Sequence, residues 1–381
     1  MKKVRLVEVV NDFNKIRVPL SSNQRKLLKK IYPYYGAQGI VDYVEDFLFD
    51  GEYLLIAEDG ENLKSNNQNI CNIVKGKFWV NNHAHILQGK KDNLTRYLYY
   101  KLNTINFSPF VTGSSQPKLN KENLFSIEFF IHENKETQQK IAKILSDIDD
   151  KIEVLHQIND NLAELAKTIY DYWFVQFDFP DENGKPYKTS GGKMLYNEVL
   201  KREIPEGWEV KKLGEILKKN ETTIKINAKD YLSSGSIPII DQSLDFICGY
   251  TNEISALIRA SNIPAIIFGD HTRILKFVDF DFARGADGTQ ILFSNNEKMP
   301  QYLFYHSLLK IDLSNYGYAR HFKFLKEQKI LLSDRLIAEK FTDNVKIIYE
   351  KIKINRNQIQ RLQSLRDWLL PMLMNGQISV E

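Results

Sequence analysis

The 381-residue chain contains only two cysteines, Cys71 and Cys248, and no Pro-Pro dipeptide. Two thiols cannot build a structural zinc site by themselves, and one bridge would be no disulfide framework. The missing Pro-Pro removes the Asn/Asp-Pro-Pro-Tyr/Phe tetrapeptide with which adenine methyltransferases grip a flipped base. There is no G-x-x-x-x-G-K-S/T phosphate loop and no G-x-G-x-x-G after a strand. Carboxylates beside lysine, as in Glu209-Val210-Lys211 and Glu327-Gln328-Lys329, occur at chance level for a nuclease pattern. No apolar run approaches the ~20 residues of a membrane helix. The opening Met1-Lys2-Lys3-Val4-Arg5-Leu6-Val7-Glu8 has no apolar segment with a cleavage site, so a cytoplasmic location is expected. These absences disfavour a self-sufficient nuclease or methyltransferase.

What is present is a repeat. Tyr97-Leu98-Tyr99-Tyr100 recurs as Tyr302-Leu303-Phe304-Tyr305, an offset of 205. The same offset joins Ile86-Leu87 to Ile291-Leu292, Pro33 to Pro238, Lys118 to Lys323, and Lys121-Glu122 to Lys326-Glu327. With short insertions, Leu54-Leu55-Ile56-Ala57-Glu58-Asp59 corresponds to Ala265-Ile266-Ile267-Phe268-Gly269-Asp270. Their common order makes a tandem duplication the economical reading. Within each copy, short apolar runs such as Tyr53–Ala57 and Pro264–Phe268 read as strands, as do Phe78–Val80 and Leu275–Val278. Thr95–Leu102 and Pro300–Lys310 read as helices, so each copy is a mixed α/β domain. The 22 Phe and 19 Tyr suit β-rich cores.

A long amphipathic segment follows each copy. With Ile141 as heptad position a, the a positions are Ile141, Ile148, Leu155, Leu162 and Ile169. The d positions are Ile144, Lys151, Ile158, Leu165 and Tyr172, and the e positions add Leu145, Ile152, Ala166 and Trp173, which makes a sustained coiled-coil stripe. Shifted by 200, the stripe returns as Phe341, Ile348, Asn355, Leu362 and Leu369 at a, with Val345, Ile352, Ile359 and Leu373 at e. Polar Asn344, Lys351 and Gln358 fall at d, so the second stripe leans toward a/e. The helix-packing set is therefore expected to be Ile148, Leu155, Leu162, Leu165, Ile348, Ile352, Leu362 and Leu369. Asn355 is expected to cost stability while fixing register against a partner helix.

The expected division is a first domain over 1–135, a long helix over 136–178, a linker over 179–203, a second domain over 204–335, and a second long helix over 336–381. The expected fold class is α+β: two mixed α/β domains separated by two long antiparallel coiled-coil helices, with a pseudo-twofold internal repeat.

Net charge is +4, from 52 basic and 48 acidic residues, too dilute to indicate a partner by itself. The candidate binding residues lie in loops. Gly113-Ser114-Ser115-Gln116-Pro117-Lys118-Leu119 aligns with Gly317-Tyr318-Ala319-Arg320-His321-Phe322-Lys323. Donors mixed with glycine suit phosphate and base-edge contact, which selects Ser114, Ser115, Gln116, Lys118, Arg320, His321 and Lys323. Lys64, Asn66, Asn67 and Arg273 are weaker candidates of the same kind. Asn81-Asn82-His83-Ala84-His85 would place both imidazoles on one strand face. The second copy reads Asp287-Gly288-Thr289-Gln290 there and supplies no imidazole, which favours a structural role over a metal.

Several phrases carry a resemblance. They are Tyr34-Tyr35-Gly36-Ala37-Gln38-Gly39-Ile40, Ala57-Glu58-Asp59-Gly60, Trp79-Val80-Asn81-Asn82-His83-Ala84-His85 and Gly285-Ala286-Asp287-Gly288-Thr289-Gln290. Phe177-Asp178-Phe179-Pro180, Gly191-Gly192-Lys193-Met194 and Ile204-Pro205-Glu206-Gly207-Trp208 complete the set as a central linker. Across essentially the whole chain the sequence resembles the specificity subunit of type I restriction–modification enzymes. That resemblance implies a non-catalytic DNA reader, with no cofactor or metal expected in this chain, whose two target-recognition domains each bind one half of a split duplex target. It also implies two modification (adenine-N6 methyltransferase) subunits docked around the helices, with restriction/translocase subunits able to join. S-adenosylmethionine, ATP and Mg would then be bound by those partners, and no membrane would be involved. The alternative is a coiled-coil protein-interaction scaffold without DNA readout.

Overall fold

A computed structural model describes residues 1–37, 39–60, 62–65, 69–90, 94–113, 116–219, 223–317 and 320–380. The chain forms two compact units, one of residues 1–154 with 358–381 and one of residues 155–357. Each unit therefore takes a stretch of both long helices together with one copy of the repeat. Among the described residues no helix is long and apolar enough to cross a membrane.

In the first unit the strands are β1 (Lys2–Arg5), β2 (Val10–Asp12), β3 (Tyr32–Gly36), β4 (Gly39–Val44), β5 (Phe49–Ala57), β6 (Cys71–Val80), β7 (Ala84–Gly89) and β8 (Glu128–Ile131). Six of them make one sheet in the order β2-β7-β5-β6-β3-β4, while β1 pairs antiparallel with β8. The run Leu54–Ala57 is buried throughout, as a central strand covered on both faces requires. The helix Thr95–Leu102 packs Tyr97, Leu98 and Leu102 into the same core as Leu54 and Ile56. Ile141, Ala142 and Leu145 from the first long helix, Lys135–Tyr170, join that core, as do Leu373 and Met374 of the second, Arg335–Met374. Asn134 starts the first long helix by accepting the Glu136 backbone N–H on Oδ1 at 2.8 Å.

The second unit holds β9 (Met194–Asn197), β10 (Arg202–Pro205), β11 (Glu209–Lys212), β12 (Lys225–Ile226), β13 (Ile237–Ile240), β14 (Gly249–Thr251) and β15 (Leu257–Ile258). It continues with β16 (Ala265–Gly269), β17 (Leu275–Val278), β18 (Phe282–Gly285), β19 (Thr289–Leu292) and β20 (Lys329–Leu332). β16 lies between β17 and β19, β18 sits at the centre of a second small sheet, and β11 pairs with β20. The helix Gln301–Leu309 buries Leu303, Phe304 and Leu308 against Phe341 and Val345 of the second long helix. The first long helix ends in a π-helical turn over Asp171–Val175, which turns Trp173 and Phe174 into that core.

The duplication is legible residue by residue within the two units. Leu54 pairs with Leu87 and Ala57 with Ala84, just as Ile266 pairs with Leu292 and Gly269 with Thr289. Leu6 N–H donates to Ile127 O at 2.9 Å, and Leu213 N–H donates to Gln328 O at 2.8 Å. Four equivalences read from identity need correction. With Ile86-Leu87 matched to Ile291-Leu292, the ladders equate Ala57 with Gly269 and Glu58, not Asp59, with Asp270. The bonds to Glu58 O and Asp270 O equate Leu119 with His321, so Lys118 matches Arg320 and not Lys323. The β1–β8 and β11–β20 ladders set Lys121-Glu122 against Phe322-Lys323 and not Lys326-Glu327. The burial pattern of the short helices equates Tyr97 with Leu303 and Tyr100 with His306, one residue from the aromatic match. Tyrosine is frequent enough in this chain for identity to slip by one, whereas the buried face of a helix cannot.

The helix seam runs along the a and e rows of both helices, and the apolar d row of the first helix does not take part. Ile141, Leu145, Ile152, Leu155 and Ala166 are buried along the first helix, and Phe341, Val345, Ile348, Asn355, Ile359 and Leu373 along the second. Both are a/e stripes, alternating steps of four and three, so the old a is a true d and the old e a true a. Leu165, expected in the packing, is instead 49% exposed, and Ile158 and Tyr172 of the same row are exposed too. The reason is in the other helix: its matching row carries Asn344, Lys351 and Gln358, so only the a/e row offers apolar surface on both sides. Leu155 and Ile348 are buried, Leu162 and Ile352 pack against the core of the second unit, and Leu369 packs against that of the first. Ile148 and Leu362 are half-buried.

Candidate DNA-reading surface

The candidate side chains of each junction stand on loops that the strand ends bring together. In the second unit β16 ends at Gly269 and β19 begins at Thr289, as paired neighbours. Asp270 N–H donates to Gly288 O at 2.7 Å, and Asp270 O accepts from His321 N–H at 2.8 Å. Its carboxylate accepts from Phe322 N–H at 2.7 Å, tying three loops to one aspartate. Gln242 stitches in a fourth, donating from Nε2 to Asp287 O at 2.7 Å and accepting from His271 N–H at 3.1 Å. Gly288 has φ +81°, which favours glycine, and a Cβ there would lie 2.6 Å from Gln242 Nε2 and displace that side chain.

The first unit repeats this junction with other side chains. Glu58 N–H donates to His83 O at 2.9 Å, and Leu119 N–H donates to Glu58 O at 2.8 Å. The Glu58 carboxylate receives Arg17 at 2.9 Å and Lys118 at 3.5 Å. Burial would raise its pKa, but Arg17, His85 and Lys118 outweigh that and hold it below the ordinary value. Arg17 also donates to Ala84 O at 2.8 Å, so it braces the junction.

His83 and His85 do not share a face. His83 lies in the turn before β7, half exposed, with Nδ1 2.6 Å from Asp59 Oδ2. His85 is buried inside β7, its Nε2 2.8 Å from Leu119 O and its Nδ1 3.3 Å from Asn14 Nδ2. Burial lowers its pKa, which fits a neutral ring donating from Nε2 to the carbonyl. Both nitrogens are occupied, so His85 is a structural residue. Among the described residues no group of three His, Cys, Asp or Glu is placed to hold a metal.

The sequence-selected residues fall into three groups. Arg273, Arg320 and Lys323 are exposed around the Asp270 junction, and Gln116 and Lys118 are exposed at the corresponding place in the first unit. Arg273 donates to Leu313 O at 3.2 Å and has φ +62°. His321 is a correction: it is buried, so it seats the start of the helix His321–Glu327 and cannot present an imidazole to a ligand. Lys64 is exposed on the turn of helix Asn62–Ser65, whereas Asn66, Asn67, Ser114 and Ser115 lie outside the described residues. Sequence reasoning missed Gln242, Arg17 and the exposed Asp287, whose carboxyl Lys225 holds below its usual pKa with help from Arg320 and Arg284. Nothing local marks Gln242 or Arg17, because each matters through loops far away in the chain.

The class so defined is a tandem pair of α+β modules, each with a stitched set of polar loops and each followed in the chain by a long helix. Residues 1–164 match the type I restriction modification DNA specificity domain. The chain is 30% identical over 341 residues to the type I restriction enzyme MjaIX specificity subunit of Methanocaldococcus jannaschii, covering 81% of this chain and 75% of that one. A putative type I restriction enzyme specificity subunit of Haemophilus influenzae is 43% identical over 140 residues, 37% of this chain and 35% of that one. In fold, the chain is similar to the crystal structure of a type I restriction–modification S subunit from M. genitalium. That likeness has a TM-score of 0.61 at 16% identity, over 98% of this chain and 96% of the other. The chain belongs to the family of type I restriction–modification specificity subunits.

Proposed function

We propose that this specificity subunit reads a bipartite duplex DNA target without catalysis of its own, each module contacting one half. The observation that carries this is one loop junction built twice with different reading groups. The first copy offers His83, Asp59, Gln116 and Lys118, and the second offers Gln242, Asp287, Arg320 and Lys323. One scaffold with two sets of donors and acceptors reads two different base sequences. Asp59 and Asp287 add acceptors for cytosine amino groups, which a merely basic surface would lack.

Methyl transfer and DNA cleavage then reside in partners, with modification subunits docking on the long helices. Exposed apolar residues support this: Val154, Ile158, Leu165 and Tyr172 on the first helix, and Ile347, Ile354, Leu365 and Trp368 on the second. S-adenosylmethionine, ATP and Mg would be held by those subunits. Exchanging residues 1–135 for the same region of a relative tests the reading through the methylated sequence in cells. One half of the target should change while the other stays. A change in both halves, or in neither, defeats the modular reading.

A further inference from the structure

Gln242 and Asp287 of the second unit stand on separate loops, and one hydroxyl joins those loops from behind. Tyr231 Oη accepts the Ala286 backbone N–H at 2.9 Å and donates its hydrogen to Asp241 Oδ2 at 3.1 Å. Asp241 is 6% exposed, and its other oxygen accepts the Ser243 backbone N–H at 2.8 Å. One Tyr–Asp pair therefore grips the residue before Asp287 and the residues on either side of Gln242.

Charge fixes the direction of these bonds. Burial would raise the Asp241 pKa, but Ser243, Cys248 and Tyr231 outweigh it and hold the carboxyl below its ordinary value. Burial, with Cys248 and Asp241, pushes the Tyr231 hydroxyl up. The carboxylate can only accept, and the phenol has one hydrogen to give, so its lone pairs are left for Ala286.

The grip opposes strain. Ala286 has φ +32°, in the left-handed region that a residue with a Cβ adopts at a cost. At Gly285 a Cβ would lie 2.1 Å from Tyr231 Oη, so the glycine leaves room for the hydroxyl. The rest of the turn is held from other sides. Asp287 O accepts from Gln242 Nε2 at 2.7 Å, and Gly288 O accepts from Asp270 N–H at 2.7 Å. In the first unit the turn before Ala84 is held by another device: Arg17 donates to Asn82 O at 3.2 Å and to Ala84 O at 2.8 Å.

We infer that Tyr231, held by Asp241, is a positioning residue for base discrimination in the second half-site. It acts through the two loops and not on DNA itself. A donor and an acceptor kept at one separation match one arrangement of base edges and mismatch others. Without the hydroxyl, Ala286 relaxes toward negative φ, Asp287 shifts relative to Gln242, and wrong bases are tolerated. Arg320 and Lys323 lie on a different loop, so contacts made there persist. The inference rests on the proposed DNA reading and adds the residue that sets its stringency in one half.

The test is the methylated sequence in cells that carry the full system. The half read by the second unit is the one that the exchange of residues 1–135 leaves unchanged. Tyr231→Phe keeps the ring and removes the hydroxyl. It should raise methylation at sites with one wrong base in that half, relative to cognate sites, by about fivefold or more. The other half should keep its wild-type stringency, and cognate sites should stay methylated. Asp241→Asn, which offers one acceptor oxygen where the carboxylate offers two, should relax the same half to a lesser degree. Unchanged stringency with Tyr231→Phe overturns the inference. Equal relaxation of both halves, or loss of methylation at every site with both variants, also overturns it and leaves Tyr231 a general support of the fold. A wild-type protein whose methylated sequence is not in two parts fails the DNA reading itself, before any variant is compared.

Discussion

Asn355 donates from Nδ2 to Asn159 Oδ1 at 2.8 Å, across the seam where the two long helices run antiparallel in the second unit. Asn355 is 2% exposed, with buried Leu155 and Ile348 and the packed Ile352 along the same seam. A slip by one heptad would set Asn355 against Ile152 or Ala166 and Asn159 against Ile348 or Leu362, leaving each amide without its partner. The pair therefore acts as a register pin, the best-attested use of a polar residue in such a seam.

Replacing one member should hurt more than replacing both. Asn355→Leu leaves the Asn159 amide facing an apolar surface, and a destabilisation of ~1–3 kcal/mol is expected. The double change Asn159→Leu/Asn355→Leu should recover that loss or exceed wild-type stability. Thermal unfolding of the three variants measures the coupling. Additive losses in the double variant would mean that the two amides do not act together.

His306 makes the second unit sensitive to acid. It is 2% exposed, hydrogen-bonded at 3.2 Å between Nε2 and the Tyr349 hydroxyl, and stacked on Tyr170 at 5.8 Å. Burial pushes its pKa from 6.5 down to about 4, with Asp171 opposing and Lys310 assisting. The unfolded chain takes up this proton near pH 6.5, whereas the folded chain resists it until about pH 4. The stabilisation is thus fully present above pH 6.5 and is lost as pH falls toward 4, by about 3 kcal/mol at most. His306→Gln should flatten that part of the stability profile. Denaturant melts at pH 7.5 and 5 compare the two proteins, and equal slopes would remove His306 from the account.

The equivalent of His306 is Tyr100, which donates to Asp149 Oδ2 at 2.6 Å, and Asp149 lies 200 residues before Tyr349. This symmetry shows what could and could not be read from sequence. Strand β5, strand β16 and both long helices were legible because hydrophobic period and length are local properties. Identity is one residue out at Tyr97, where the buried helix face decides, and at Asp59, where the strand ladder decides. The seam was misassigned at Leu165 because an apolar row on one helix says nothing about the row it must meet. At the candidate surface, the exposed Arg320 and Lys323 are visible in the sequence as basic residues. His321 was not separable from them, because its burial depends on Asp270, fifty-one residues earlier.

Arg320 and Lys323 should contribute to DNA affinity mainly through phosphate. Both are exposed, and neither sits in a buried network that would fix it against a base edge. Arg320→Ala should weaken binding to cognate and unrelated duplexes by similar factors. It should also reduce the slope of log K against log salt by about 1, as expected for one lost phosphate contact. Titrations between 50 and 200 mM salt, by fluorescence anisotropy, give that slope. A loss confined to the cognate sequence would reassign Arg320 to base reading.

The helices offer the most direct test of how the two half-sites are spaced. In the first unit Arg366 pairs with Asp149 at 3.0 Å, and in the second Asn355 pairs with Asn159. The heptads Ile152–Ile158 and Asn357–Gln363 lie between these contacts, so deleting both leaves each contact intact. Seven residues return the helix to the same face, which preserves the apolar seam. Each helix shortens by roughly 10 Å at ~1.5 Å per residue, or about three base pairs of B-form DNA. The reading loops are untouched, so both half-site sequences should persist in the methylated target. The spacer between them should shorten by about one to three base pairs, the smaller value if the helices run oblique to the DNA. Single deletions should fail to fold normally, because one shortened helix cannot satisfy both polar contacts at once. A folded double deletant that methylates with the original spacer would show that the helices serve assembly, and that the spacing is set elsewhere in the complex.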